Sequence, residues 1–168
     1  SPIMTQWIVD TVVPSTPQVV TTTTALTKLT AASFSFSSMD VGGSGIASFQ
    51  CSIDNGAFAA CTSPRDLTNL ANGNHSFRVR SLDNAANPSA LATINWLVDN
   101  VAPTMTLTQT PLASTTSTSA TFAFTATDGA AGSGLDKFEC SLDNSAFATC
   151  TSPLSYNGLA VGNHNFRV

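Results

Sequence analysis

Apolar and polar residues alternate along several short stretches of the chain. Residues 33–37 read Ser-Phe-Ser-Phe-Ser, and residues 121–125 read Thr-Phe-Ala-Phe-Thr. Alternation with a period of two is typical of a strand with one buried face. Clusters of Gly, Asn, Asp and Pro separate such stretches, and no segment has apolar residues at helical spacing beyond two turns. The pattern predicts an all-β protein.

The sequence contains two copies of one pattern. Trp7 matches Trp96, an offset of 89 residues, and the same offset relates Cys51 to Cys140. This period is longer than the ~20–50 residues of a solenoid repeat and suits a β-sandwich of ~100 residues. We therefore expect two tandem sandwiches. The first copy is predicted to contain seven strands, near residues 17–24, 32–38, 46–53, 57–62, 65–70, 75–82 and 92–98.

The repeat divides the chain into residues 1–10, 11–99 and 100–168. Residues 1–10 match residues 90–99, the last strand of the first copy. The second copy stops at the residue equivalent to Val79, so it is incomplete in this chain and lacks that strand. One interpretation is a window cut from a longer tandem array. The other is that residues 1–10 act as a donor strand, completing a neighbouring domain head-to-tail. The residues assigned to this inter-module or donor strand are Ile3, Thr5, Trp7, Ile8 and Val9.

All four cysteines lie at the ends of two matching segments, 51–61 and 140–150. Asn55-Gly56 in the first segment is a strong hairpin signal. A three-residue turn or a bulge would bring Cys51 opposite Cys61 on neighbouring strands, within disulfide range. We expect disulfides between Cys51 and Cys61 and between Cys140 and Cys150. Free thiols and a metal site are the alternatives, although zinc sites usually gather four ligands at closer spacing. Disulfides indicate an oxidising compartment, so we expect a secreted or cell-surface protein.

Composition excludes several other classes of protein. Charged residues make up 10% of the chain, and its six basic residues form no run, so no nucleic-acid partner is expected. Hydrophobic residues make up 42%, which is too many for a disordered chain. No apolar stretch reaches the ~18–20 residues that span a bilayer.

The order of several short motifs resembles bacterial Ig-like and fibronectin type III-like repeat modules. The motifs are Asp40-x3-Ser44-Gly45-Ile46, Phe49-x-Cys51-Ser52-Ile53-Asp54-Asn55-Gly56-x-Phe58 and Gly73-x-His75-x-Phe77-x-Val79-Arg80-x-x-Asp83-x-Ala85-x-Asn87. A Trp-x-Val-Asp-x-x-x-Pro pattern resembles the seam between such modules, and it occurs at residues 7–14 and 96–103. The resemblance implies tandem Ig-like β-sandwiches of a large secreted or cell-surface, adhesin-type protein. Ala86 departs from the pattern, because many such repeats have glycine there.

The chain offers few residues for catalysis. Each copy has one histidine, His75 or His164, which we interpret as a turn residue bonded to backbone rather than a catalytic base. Trp7 and Trp96 lie among apolar residues on predicted strands, so core packing is favoured over stacking on a sugar. We expect no enzymatic activity and no required cofactor.

Calcium is the remaining candidate ligand. Aspartates lie at the module seams and in the loops beside them, and calcium takes six to eight oxygen ligands. The alternative is that each aspartate is a turn residue bonded to its own backbone. The candidate ligands are Asp10, Asp40, Asp83, Asp99 and Asp128.

These observations predict a non-catalytic structural repeat unit of a stalk, sheath or filament outside the cell. Its partners would be adjacent repeats or other copies of itself, arranged head-to-tail. The alternative is an adhesion module whose loops at one end of the sandwich bind a glycan or a surface protein.

Overall fold

A computed structural model of the chain describes residues 2–168. These residues form fourteen β-strands and no helix, which confirms the all-β prediction. The chain divides into two compact units between Asn100 and Val101. No helix within residues 2–168 has the length and apolar character needed to cross a membrane.

The first unit is an Ig-like β-sandwich of two sheets. Its strands are β1 (Gln18–Thr21), β2 (Leu26–Thr27), β3 (Ala32–Ser37), β4 (Ile46–Ile53), β5 (Ala59–Cys61), β6 (Arg65–Leu67), β7 (Gly73–Asp83) and β8 (Ala92–Val98). One sheet has the order β1-β3-β6, and the other has the order β2-β8-β7-β4-β5. Strand β2 pairs with β8 in parallel, whereas the other pairs are antiparallel. The sequence pattern did not predict β2, because two residues are too short to show a period.

The core of the first unit follows the predicted alternation. In β3, Phe34 and Phe36 are buried, whereas the serines between and beside them are exposed. The Phe34 ring stacks on Phe77 with ring centroids 4.4 Å apart. Trp96 of β8 packs against Phe34 at 5.2 Å. The last strand therefore closes the aromatic core.

The second unit repeats this arrangement with fewer strands. They are β9 (Thr104–Gln109), β10 (Ala120–Thr127), β11 (Phe138–Leu142), β12 (Ala148–Cys150), β13 (Leu154–Tyr156) and β14 (Phe166–Arg167). The sheets have the orders β13-β10-β9 and β12-β11-β14. Strand β14 corresponds to β7 and forms one edge of its sheet, the edge that β8 covers in the first unit.

Both predicted disulfides are present. Cys51 is bonded to Cys61 and Cys140 to Cys150, each with a Cα separation of 5.8 Å. The predicted direct opposition is wrong, because Cys51 pairs with Ala59 across β4 and β5 while Cys61 pairs with Phe49. The two cysteines are diagonal neighbours on one face of the hairpin.

The hairpin turn explains the offset between the cysteines. Asp54 and Asn55 have positive φ values of 49° and 60°, and Gly56 N–H donates to Ile53 O at 2.8 Å. Of the two predicted alternatives, a three-residue turn and a bulge, the three-residue turn is wrong, because this is a two-residue turn. One extra residue before β5 then shifts the register. The second unit has the same turn at Asp143-Asn144.

Candidate functional sites

Three features are candidates for function: an exposed N-terminal segment, an open sheet edge and a cluster of carboxylates. The N-terminal segment, residues 3–9, is extended and forms no strand. Trp7 is 79% exposed, whereas its match Trp96 is 3% exposed. Ile3, Ile8 and Val9 are exposed as well. The prediction of core packing is confirmed for Trp96 and is wrong for Trp7 within its own chain.

Strand β8 shows where such a segment lies in a complete sandwich. It pairs antiparallel with β7, and Val98 lies opposite Gly73, Trp96 opposite His75 and Ala92 opposite Val79. Trp96 and Val98 point into the core and are buried, whereas Thr93 and Asn95 face outward and are exposed. In the N-terminal segment, Ile3, Thr5, Trp7 and Val9 occupy the positions that match the inward-facing residues of β8.

His75 is held between two acceptors beneath Trp96. Its Nδ1 lies 2.8 Å from Asp54 Oδ2 and its Nε2 lies 2.8 Å from Ala71 O. Only the protonated ring can donate to both. Burial lowers the pKa of His75, but the hydrogen bonds to Ala71 and Asp54 outweigh it and leave the pKa above its ordinary value. The interpretation of this histidine as bonded to backbone is confirmed, although it lies on β7 rather than in a turn.

The open edge of the second unit carries the same histidine arrangement without a covering ring. His164 Nδ1 lies 2.7 Å from Asp143 Oδ2, and Nε2 lies 2.9 Å from Ala160 O. These bonds, first to Ala160 and then to Asp143, raise the pKa of His164 above its ordinary value. The His164 side chain is 26% exposed, compared with 9% for His75. His164 is more exposed because it has no ring that corresponds to Trp96, which covers His75 in the first unit.

The carboxylate cluster consists of Asp10, Asp40 and Asp83, each of which places one oxygen within 4.8 Å of the others. Asp83 lies at the end of β7 and is buried. Its Oδ1 accepts hydrogen bonds from the backbone N–H groups of Ala85 and Asn87 at 2.9 and 2.7 Å. The Asn87 side chain donates to Asp83 Oδ2 and also to Asp10 O at 3.0 Å. Asn87 thus joins the loop after β7 to the residue that follows the N-terminal segment.

The other two carboxylates of the cluster are held by the loop before β4. Ser44 N–H donates to Asp10 Oδ2 at 2.6 Å, and Gly45 N–H donates to Asp40 Oδ2 at 2.8 Å. The pKa of Asp10 lies below its ordinary value, because hydrogen bonds from Ser44 and from the Val12 N–H stabilise its charged form. Asp40 Oδ1 is buried and accepts no hydrogen bond from the protein. An all-oxygen donor set of this kind suits Ca²⁺ better than a transition metal.

Two of the predicted calcium ligands lie outside this cluster. Asp99 is buried immediately after β8, and Asp128 Oδ2 accepts a hydrogen bond from Gly134 N at 2.7 Å. The pattern of aspartates at seams therefore identified three of the five correctly as neighbours. The bond from Asn87 to Asp10 was not predicted, because its partners are 77 residues apart.

The departure at Ala86 has a structural consequence. Ala86 has a φ of 67°, in the left-handed region that favours glycine. A glycine at this position would adopt the same φ with less strain.

The fold and these sites define a pair of Ig-like β-sandwich modules, each carrying one hairpin disulfide. No family model matches the sequence. No curated protein matches it either. Among solved structures, the chain is similar to the PKD domain of an M14-like peptidase from a Thermoplasmatales archaeon. The identity is 17%, the TM-score is 0.41, and the match covers 51% of this chain and 94% of that one. The fold assignment rests on the strand order described above.

Proposed function

We propose that this chain is a non-catalytic structural module of an extracellular or cell-surface fibre. In this fibre, residues 3–9 supply the last strand of a neighbouring Ig-like sandwich. The single observation that carries the proposal is the contrast between two matching segments. Trp96 in β8, which pairs with β7 and β2, is buried, whereas Trp7 in the N-terminal segment is exposed.

Strand addition would pair the backbone groups of the sheet edge and bury the apolar side chains of the N-terminal segment. The edge of a sheet presents unpaired N–H and C=O groups, and an added strand pairs with them. The inward side chains of the segment would leave water at the same time, as their matches in β8 do. A head-to-tail contact whose rotation does not close a ring repeats into a filament.

The remaining features favour a mechanical role. Each unit is cross-linked by a disulfide within one hairpin. Such bonds stabilise small domains and persist in the oxidising environment outside the cell. Asn87 and Ser44 donate hydrogen bonds to Asp10 and hold this residue on the first unit. The N-terminal segment would therefore start from a fixed position.

The proposal is tested by comparing the full chain with a variant that lacks residues 1–9, so that Asp10 and its hydrogen bonds to the first unit are kept. We expect the full chain to form linear oligomers whose mass rises with concentration in sedimentation velocity, and fibres in negative-stain images. The truncated variant should remain monomeric and keep its melting temperature. Assembly of the truncated variant to the same extent would refute strand addition. Discrete particles of the full chain that bind sugars on a glycan array would support the adhesion module instead.

A further inference from the structure

We propose that the first unit binds a polysaccharide that carries uronic acid carboxylates. The binding surface is the outer face of the sheet β2-β8-β7-β4-β5, the face that points away from the core. Its anion-binding groups are Arg78 and Arg80 of β7. This inference goes beyond the proposed fibre and does not depend on strand addition.

Alternation along β7 places both arginines on the outer face. The residues on either side of Arg78 and Arg80 are buried, so the two arginine side chains point to the side of the sheet opposite the core. Strand β4 contributes Ser52 and Gln50 to the same face, because they pair with Arg78 and Arg80 respectively. Two positive charges therefore lie two residues apart on one central strand.

Each guanidinium group is held by the residues around it. Arg80 Nε donates to Gln50 Oε1 at 2.9 Å, and Arg78 Nη2 donates to Ser52 Oγ at 3.0 Å. The Cζ atoms of Arg78 and Arg80 lie 5.3 and 4.7 Å from the centre of the Phe58 ring, within the range of a cation–π contact. The two groups are thus positioned before a ligand binds, which reduces the entropy cost of binding.

Neither arginine has an anionic partner. Among residues 2–168, no carboxylate lies within ion-pair distance of Arg78 or Arg80. The terminal nitrogens of Arg80 donate to no acceptor in these residues, and Arg78 Nε is buried without a hydrogen-bond partner there. The forked N–H groups of arginine match the two oxygens of a carboxylate. This pair of uncompensated charges, in a chain of net charge −4, favours an anionic ligand.

The polar residues beside the arginines favour a saccharide. On β8, Thr93 lies opposite Arg78 and Asn95 lies opposite Ser76, and both β8 residues are exposed. Their hydroxyl and amide groups can donate to and accept from sugar hydroxyls. Strand β7 is paired on both sides, so it offers no free edge to which an acidic peptide could add as a strand. A uronate polysaccharide supplies both the carboxylates and the hydroxyls that this face can bind.

The equivalent face of the second unit differs at one position that matters for an anion. It retains an arginine, Arg167, over the Phe147 ring at 5.1 Å. However, Glu139 stands at the position of Gln50, and its carboxylate is paired with Lys137 at 2.6 Å. A carboxylate at this position repels an anionic ligand. We therefore expect the site in the first unit only, and Gln50→Glu would give the first unit the side chain that the second unit has.

Isothermal titration calorimetry of the full chain with hexagalacturonate tests the proposal. We expect saturable binding at one site per chain that weakens as NaCl is raised, because salt screens exposed charges. The same oligosaccharide with methyl-esterified carboxyl groups should bind at least tenfold more weakly. Failure of hexagalacturonate to bind, or equal binding of its ester, would overturn the proposal. If dextran sulfate binds and hexagalacturonate does not, the face recognises sulfate and the uronate assignment is wrong.

Two variants locate the site. Arg80→Gln and Gln50→Glu should each weaken the binding of hexagalacturonate at least tenfold. Their matched controls are Arg65→Gln on β6 and Gln18→Glu on β1, which make the same charge changes on the other sheet and should change Kd less than twofold. Equal weakening by a variant and its control would show nonspecific attraction and overturn the site.

A melting curve of each variant separates binding from folding. If Arg80→Gln lowers the melting temperature but leaves the Kd of hexagalacturonate unchanged, the arginine is only structural and the proposal is wrong. The variant that lacks residues 1–9 should bind hexagalacturonate as the full chain does. Loss of assembly and loss of saccharide binding are therefore separate results, and either proposal can fail without the other.

Discussion

Replacing Trp7 with alanine should weaken assembly without weakening the fold. Trp7 is 79% exposed in its own chain, and its match Trp96 is 3% exposed at the position it would occupy. A tryptophan buries 150–250 Å², so insertion would remove about 150 Å² of mainly apolar surface from water. At about 25 cal/mol per Å², this burial contributes about 4 kcal/mol. An alanine side chain would retain a small part of this burial. The expected loss of association free energy is therefore about 3 kcal/mol, or about 100-fold in Kd.

Sedimentation equilibrium across a concentration series measures this change. The matched control is Met4→Ala, which removes an exposed apolar side chain from the opposite face of the segment. Its match Thr93 is exposed in β8, so we expect less than a threefold change in Kd. Both variants should melt within a degree or two of the original chain, because substitutions at exposed positions usually change stability by less than about 0.5 kcal/mol. Equal weakening by Trp7→Ala and Met4→Ala would refute the reasoning, since it would show that one face is not selectively buried.

Four further predictions concern stability. Because the pKa of His75 is raised in the folded state, its contribution to stability is present below a pH of about 6.5 and is lost as pH rises through the folded value. His75→Gln should therefore flatten the decline in unfolding free energy as pH rises above about 6.5, measured by denaturant titration. Ala86→Gly should stabilise the chain by about 0.5–1 kcal/mol in the same assay, because φ is positive at this residue; a loss of stability would contradict the strain argument. Replacing Cys51 and Cys61 with serine should cost about 2–3 kcal/mol and lower the melting temperature of the first unit by roughly 10 °C. Calcium at ten times its Kd should raise the melting temperature by several degrees, EGTA should reverse the rise, and Asp40→Asn should abolish it; indifference to both reagents would exclude the site.

The repeat made much of the fold predictable. Two copies of one pattern with a spacing near 89 residues predicted two sandwiches. The alternation at residues 33–37 predicted which face of β3 is buried. The cysteine pairing was also predictable, because a hairpin signal lies between each pair. In each case the information is local, since a period of two or a turn residue acts within a few positions.

Other features depended on long-range pairing. The diagonal placement of Cys51 and Cys61 follows from one extra residue after the turn, which a pattern of apolar positions does not reveal. The convergence of Asp10 with Asp40 and Asp83 requires the loop before β4 and the end of β7 to meet. Asp99 matches Asp10 in the repeat, so the sequence alone gave it the same status as a candidate ligand.

The sequence by itself determined most of the strands of the first unit, the apolar face of β3 and which segments are equivalent. Only the tertiary structure decided which equivalent segments are covered. Trp7 and Trp96 lie in matching Trp-x-Val-Asp segments, yet Trp7 is exposed and Trp96 is buried. The physical reason is that side-chain alternation specifies a face, whereas burial depends on which sheet edge is within reach of that face.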